Sequence, residues 1–237
     1  MPPIISIPPE IFMTKRPLLI SDCDEVLLHM VVPFQQWLDS DKHIHFDLEN
    51  GSDFANALRH KHDGTQVLPE QIWPMLKEFF DSEMHRQGAI AGAVESINLL
   101  GELADVVILT NLLDDRREAR AEQLRAVGID FPVYTNQGGK GELLTSILAE
   151  FDPSVTVFVD DLGHQHGSVA KHAPDVWRLQ MVGEPIMAKH IETNPAAHVR
   201  IDSWHEAVTW ISDKFDNAQP APAMDLSSQE LDPANHA

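Results

Sequence analysis

At 237 residues the chain is long enough for a full core, either as one domain or as a domain with a modest insertion, and its 43% hydrophobic and 23% charged residues are those of a globular protein. A formal charge of −20 with no concentrated basic patch disfavours nucleic acid and anionic lipid as partners. No apolar run approaches the roughly 20 residues of a membrane helix, and the single cysteine, Cys23, excludes an intrachain disulfide and a thiolate zinc cluster, which fits a reducing, cytoplasmic setting.

Residues 1–16 read as a leader broken by prolines, with its basic pair after the apolar stretch, the wrong order for a secretory signal. Pro17 to Ser21 forms a first strand that runs directly into Asp22. Residues 29–90 then break the rhythm: helical patches at Pro33 to Leu38, Phe54 to Arg59 and Gln71 to Phe80 follow with no convincing strand between them. This is the pattern of a small helical cap, inserted where it can close over anything bound at the strand end. Trp73, Phe79 and Phe80 fit its core face, and the pairs His43/His45 and His60/His62 suit solvated loops better than a metal site.

After the insertion, a helix at Ala93 to Leu103 leads to a strand at Asp105 to Leu109, which runs into Thr110. A helix over Arg116 to Val127 stops at Gly128, and a short strand spans Phe131 to Tyr134. Helix Gly141 to Phe151 precedes a strand at Val155 to Val159 that ends at Asp160. Val176 to Met181 and His198 to Ile201 read as edge strands, and Trp204 to Phe215 as a closing helix. Residues 217–237 form an acidic tail with little to bury. The predicted architecture is α/β, a Rossmann-like three-layer parallel sheet core over 17–28 and 91–216 with the cap over 29–90.

In open parallel sheets ligands sit beyond the carboxyl ends of the strands, which here carry Asp22-Cys23-Asp24, Thr110-Asn111 and Asp160-Asp161. Lys140 opens a helix after Gly138-Gly139 and brings an ammonium to the same rim. Two like charges about 4 Å apart repel by roughly 4 kcal/mol at an effective dielectric near 20, so four gathered carboxylates call for a cation. Oxygen ligands without a cysteine cluster favour Mg²⁺. Cys23 points away from the aspartates if the strand alternation continues, and is expected in packing. His164 and His166, just after Asp161, either line the site or face water.

The order D-x-D, Thr, Lys, Asp-Asp, each after a strand or at a helix start, resembles the haloacid dehalogenase superfamily from about Pro17 to Phe215. The resemblance implies an Mg²⁺-dependent hydrolase of small phosphomonoesters, acting through an aspartyl-phosphate on Asp22. It further implies that Asp24 serves as general acid and then base, with its backbone carbonyl on the metal. Thr110 and the Asn111 amide would bind the phosphoryl oxygens, Lys140 would neutralise Asp22 and the phosphoryl group, and Asp160 and Asp161 would complete the metal site with Asp22. An acid at Asp24 separates phosphate chemistry from the dehalogenating branch. Three positions depart from the family pattern: Glu25 stands in place of glycine, Ala91 in place of proline, and Gln165 in place of Asn or Asp.

Taken singly, Asp22 and Asp24 would equally cap a turn, and Thr110-Asn111 a helix. The same residues would serve a phosphomutase, and a catalytically idle binding or regulatory protein on this fold is a further alternative. A receiver-type module is disfavoured by order, because its acidic pair precedes the phosphorylated aspartate.

Overall fold

The computed structural model describes residues 15–48 and 56–224. Most of the expected leader and tail, and Phe54 and Ala55 of the second helical patch, lie outside these residues.

Strand β1 (Leu18–Ser21) opens the core. The insertion follows as helix α1 (Val31–Trp37), strands β2 (Ile44–Phe46) and β3 (Leu58–His60), and helix α2 (Pro69–Ser82). The core resumes with α3 (Ala93–Leu103), β4 (Asp105–Thr110), α4 (Arg117–Ala126), β5 (Val133–Thr135) and α5 (Gly141–Phe151). It closes with β6 (Thr156–Asp160), α6 (Gly163–His172), β7 (Trp177–Gln180), the short α7 (Pro185–Ala188), β8 (Val199–Arg200) and α8 (Trp204–Asn217). Among the described residues no helix is long and apolar enough to cross a membrane.

The core sheet has six strands in the order β5-β4-β1-β6-β7-β8, and every pairing is parallel. Parallel strands covered on both faces read as continuous apolar runs, which is why Leu18, Leu19 and Ile20 are all buried. Leu19, Val157 and Val159 face Ile97 and Leu100 of α3 and Trp204 and Ile211 of α8. Leu18, Ile20 and Phe158 face Leu144 and Ile147 of α5 and Val169 of α6. Each such side chain contributes about 1.5–3 kcal/mol on full burial, which makes this three-layer sandwich the rigid support of the rim.

The cap has its own core. Phe34, Trp37 and Phe79 meet with ring centroids 5.4–5.9 Å apart, joined by Leu38, Ile44, Phe46, Leu58 and Ile72. Three expectations are corrected. The cap is not purely helical, because β2 and β3 pair antiparallel with Ile44 opposite His60 and Phe46 opposite Leu58, which overturns the described part of the Phe54 to Arg59 patch. Three-residue strands are too short for alternation to register as a pattern. Trp73 is 54% exposed: Ile72 and Phe79, seven apart, mark the buried face of α2, and Trp73 sits about 100° round from it. Finally, β7 is not an edge strand, since the two-residue β8 pairs along its outer side.

The two histidines within the hairpin strands are placed on different faces, while the His60 and His62 rings lie 5.5 Å apart. His45 pairs opposite Arg59 and His60 opposite Ile44, so His45 and His60 project from opposite sides of the hairpin.

Candidate active site at the carboxyl ends of three adjacent strands

The order β4-β1-β6 sets three strand ends side by side, so Thr110, Asp22 and Asp160 arrive together although they are distant in sequence. Asp22 stays in register one residue past β1, where its N–H donates to Val159 O at 2.8 Å. Lys140 comes from the start of α5. Its Nζ lies 2.6 Å from Asp22 Oδ1 and 2.6 Å from Asp160 Oδ2, so one buried ammonium bridges two strands.

That placement depends on close backbone approach. A Cβ on Gly141 would stand 2.4 Å from Ser168 O, so only glycine lets α5 lie this near α6. Gly138 adopts a left-handed φ of 87°, and its carbonyl accepts from Asn111 Nδ2 at 3.0 Å and Gln165 Nε2 at 3.1 Å. Gln165 Oε1 in turn accepts from Lys140 N at 2.8 Å, so the departure at this position still supports the lysine loop.

The ligand atoms of Asp22, Asp160 and Asp161 lie within 4.8 Å of one another, and all three residues are buried. Burial is the largest influence on Asp22 and pushes its carboxyl up to about 7, with Lys140 pulling against Asp160 and Asp24. Asp161 is raised well above the usual carboxylate range by burial and then by Asp160 and Asp22. Lys140 behaves oppositely: burial would lower it, but Asp160 and Asp22 hold it above the ordinary lysine value. Fully ionised, the cluster would carry more negative charge than Lys140 neutralises, and a hard divalent cation fits its all-oxygen donor set. Asp160 has one carboxylate oxygen on Lys140, while Oδ1 accepts from Leu162 N at 2.9 Å.

Thr110 is fully buried, and its Oγ1 is without a hydrogen-bond partner among the described residues. An unsatisfied buried hydroxyl costs free energy unless something arrives to use it, so this atom marks a place for an acceptor such as a phosphoryl oxygen. Asn111 is exposed and its side chain serves the 136–138 loop, accepting from Asn136 Nδ2 at 3.0 Å.

Asp24 departs from the cluster. Its carboxylate accepts from Arg120 Nη2 at 3.0 and 2.9 Å and from Gln87 Nε2 at 2.6 Å, so it does not join the Asp22, Asp160 and Asp161 group. Arg120 and Gln87 were not expected from the sequence. The available signal was the i, i+4 spacing of Arg120 and Leu124, the two buried residues of α4. Cys23 is buried as expected, and burial raises its thiol. His166 is buried, with Nε2 3.0 Å from Asp160 O, and burial lowers its ring pKa; His164 is exposed. Glu25 takes φ 59°, the left-handed region where glycine would be at ease. Its Oε1 accepts from Met30 N at 2.8 Å and Val31 N at 2.6 Å, which caps α1.

No protein-family model matches the chain, and no curated protein does. Solved structures do. A haloacid dehalogenase-like family hydrolase from Streptococcus pneumoniae is 9% identical with a TM-score of 0.58, covering 84% of this chain and 100% of its own. The HAD-hydrolase YfnB from Bacillus subtilis, solved bound to magnesium, is 13% identical with a TM-score of 0.58, over 84% of this chain and 99% of its own. A predicted phosphoglycolate phosphatase from Haemophilus somnus is 13% identical with a TM-score of 0.55, over 84% and 99%. The architecture of this chain is thus the haloacid dehalogenase-like fold.

Proposed function

We propose that this chain is an Mg²⁺-dependent hydrolase of small phosphomonoesters that works through an aspartyl-phosphate on Asp22. The observation that carries the reading is the Lys140 ammonium, held 2.6 Å from both Asp22 and Asp160, together with the buried Thr110 hydroxyl at the neighbouring strand end, unpartnered among the described residues. Asp22, Asp160 and Asp161 would hold the cation, with the Asp24 carbonyl, and the cation would screen the phosphoryl charge against the carboxylates.

The residues divide the work. Asp22 attacks phosphorus as the O–P bond to the alcohol breaks, and Asp24 delivers a proton to the departing oxygen. Asp24 then takes a proton from water, which attacks the same phosphorus and releases phosphate and the Asp22 carboxylate. The Thr110 hydroxyl and the Asn111 amide donate to the phosphoryl oxygens, and Lys140 balances charge on Asp22 as it changes from carboxylate to acyl phosphate. The cap is set to cover the alcohol portion of a small phosphorylated metabolite.

Phosphate release from a panel of phosphorylated metabolites, with Mg²⁺, with EDTA and with Asp22→Asn, tests this reading. Release that needs Mg²⁺ and disappears in Asp22→Asn is expected. Equal release in EDTA would remove the metal, and full activity of Asp22→Asn would remove the nucleophile.

A further inference from the structure

We propose that Arg120 is the positioning residue of the acid–base carboxylate, and that the polar group it anchors ties Asp24 to the segment by which the cap returns to the core. The inference rests on the phosphomonoester reading above and assigns a role to residues which that reading does not use.

Asp24 lies past the end of β1, where strand pairing no longer sets the direction of a side chain, and its side chain is 17% exposed. Something else must aim it. Arg120 does so from α4, with a side chain that is 0% exposed and Nη2 within 3.0 Å of both Asp24 oxygens. Its other terminal nitrogen, Nη1, reaches Gln123 Oε1 at 3.1 Å, Cys23 Sγ at 3.3 Å and Gln87 Oε1 at 3.4 Å. The Phe80 ring of α2 stands 5.6 Å from the guanidinium carbon, a cation–π contact from the cap.

Gln87 closes the arrangement. It takes Nη1 on its carbonyl and gives its amide to Asp24 Oδ1 at 2.6 Å, while Gln123 donates to the Met84 carbonyl. Met84 and Gln87 both belong to the chain that leads from α2 back to α3. Asp24 thus accepts three hydrogen bonds, from one residue of the core and one of the cap linker, and its rotamer is determined by both.

A buried ion pair is weak evidence for net stability, because an apolar side chain of the same volume is often as good or better. What an apolar residue cannot do is orient a carboxylate. Nη1 is held by Gln123 and Gln87 while Nη2 meets both oxygens of Asp24, so the planar guanidinium fixes where the donating nitrogen stands, as a flexible lysine ammonium would not.

The test compares two substrates in Mg²⁺ across wild type, Asp24→Asn, Arg120→Met, Arg120→Lys and Gln87→Leu. The alcohol of β-glycerophosphate must be protonated as it leaves, whereas p-nitrophenolate departs without a proton. The ratio kcat/KM reports the transfer to Asp22, and kcat also contains the hydrolysis of the phosphoenzyme, which needs Asp24 as base whichever alcohol left. Arg120→Met should lower kcat/KM for β-glycerophosphate by about 10² or more, the size of a lost general acid, and for p-nitrophenyl phosphate by less than about 10-fold. It should also lower kcat for both, as Asp24→Asn does. Gln87→Leu should give the same split at smaller amplitude, and Arg120→Lys should recover part of it. If Arg120→Met fails to fold, Gln87→Leu carries the test, because it leaves the ion pair in place. An active wild type whose Arg120 and Gln87 variants lose equal factors on both substrates, or lose nothing, overturns the role of Arg120 alone. A wild type inactive on both substrates overturns the hydrolase reading and this inference with it.

Discussion

Around Lys140, three buried carboxylates share one ammonium, whereas around Arg120 a single carboxylate has a guanidinium and an amide to itself. Asp22 and Asp24 are two residues apart, yet they belong to these opposite situations. In the first, burial and mutual repulsion push Asp22 up to about 7 and raise Asp161 well above its usual range, so the unliganded cluster resists being fully ionised. In the second, burial works to lower Arg120, but Asp24 holds it above its ordinary value, so the guanidinium keeps its charge. One group is short of positive charge and suits a cation and a phosphoryl ligand; the other is balanced and suits orientation.

Removing the shared ammonium should produce the largest effect. Lys140→Met would leave Asp22 and Asp160 facing each other without a cation and would remove the charge that stabilises the acyl phosphate. Loss of a single transition-state donor costs about 10²–10³ in kcat, and Lys140 should cost at least that much. Steady-state rates in saturating Mg²⁺ check this; a loss under about 10-fold would show that the metal alone carries the charge balance.

Stability separates the two regions more directly. Arg120→Met leaves Asp24 without its buried partner and should cost about 3–5 kcal/mol by denaturant unfolding. Asp161→Asn relieves the cost of burying an acid that must either take up a proton or face Asp160 and Asp22, and should stabilise the metal-free protein by about 0.5–2 kcal/mol while lowering Mg²⁺ affinity. Opposite signs are the signature of the contrast. If Asp161→Asn destabilises the metal-free protein, the cluster is not short of positive charge.

The legible part of the molecule was its core. Asp22, Thr110 and Asp160 stand at the ends of apolar runs, and in a parallel sheet with short connections a residue just past a strand has only one rim to occupy. Lys140 followed from a helix start after two glycines. Arg120 was hidden because Arg116-Arg117-Glu118-Ala119-Arg120 has the composition of a solvated helix face, and only the cap packed over α4 makes that face an interior. The hairpin of β2 and β3 was hidden by its length, and Gln87 by its place in a linker without periodicity. Cap residues take their roles from contacts distant in sequence, whereas core residues take theirs from position along a strand.

Glu25 stands between the regions and offers the smallest effect. It occupies the left-handed φ of 59°, which costs a non-glycine residue about 1–2 kcal/mol, and offsets this by capping α1 through Oε1, worth about 0.5–2 kcal/mol. Its Oε2 is buried without a partner among the described residues, and burial pushes its carboxyl up to about 7 against the pull of the Val31 and Met30 amides. A carboxyl raised in the folded state holds its proton there, so the stability it contributes is complete below about 4.5, its ordinary value, and is lost as pH rises through about 7. Asp22 has the same sign over a similar window, so the difference between wild type and Glu25→Gln isolates Glu25. The glutamine keeps the acceptor that caps α1 but carries no proton to lose. Melting temperatures of the metal-free proteins between pH 5 and pH 8 should therefore fall less steeply in Glu25→Gln than in wild type. Parallel curves would mean that Glu25 is already ionised in the fold, with its second oxygen stabilised by something other than a proton.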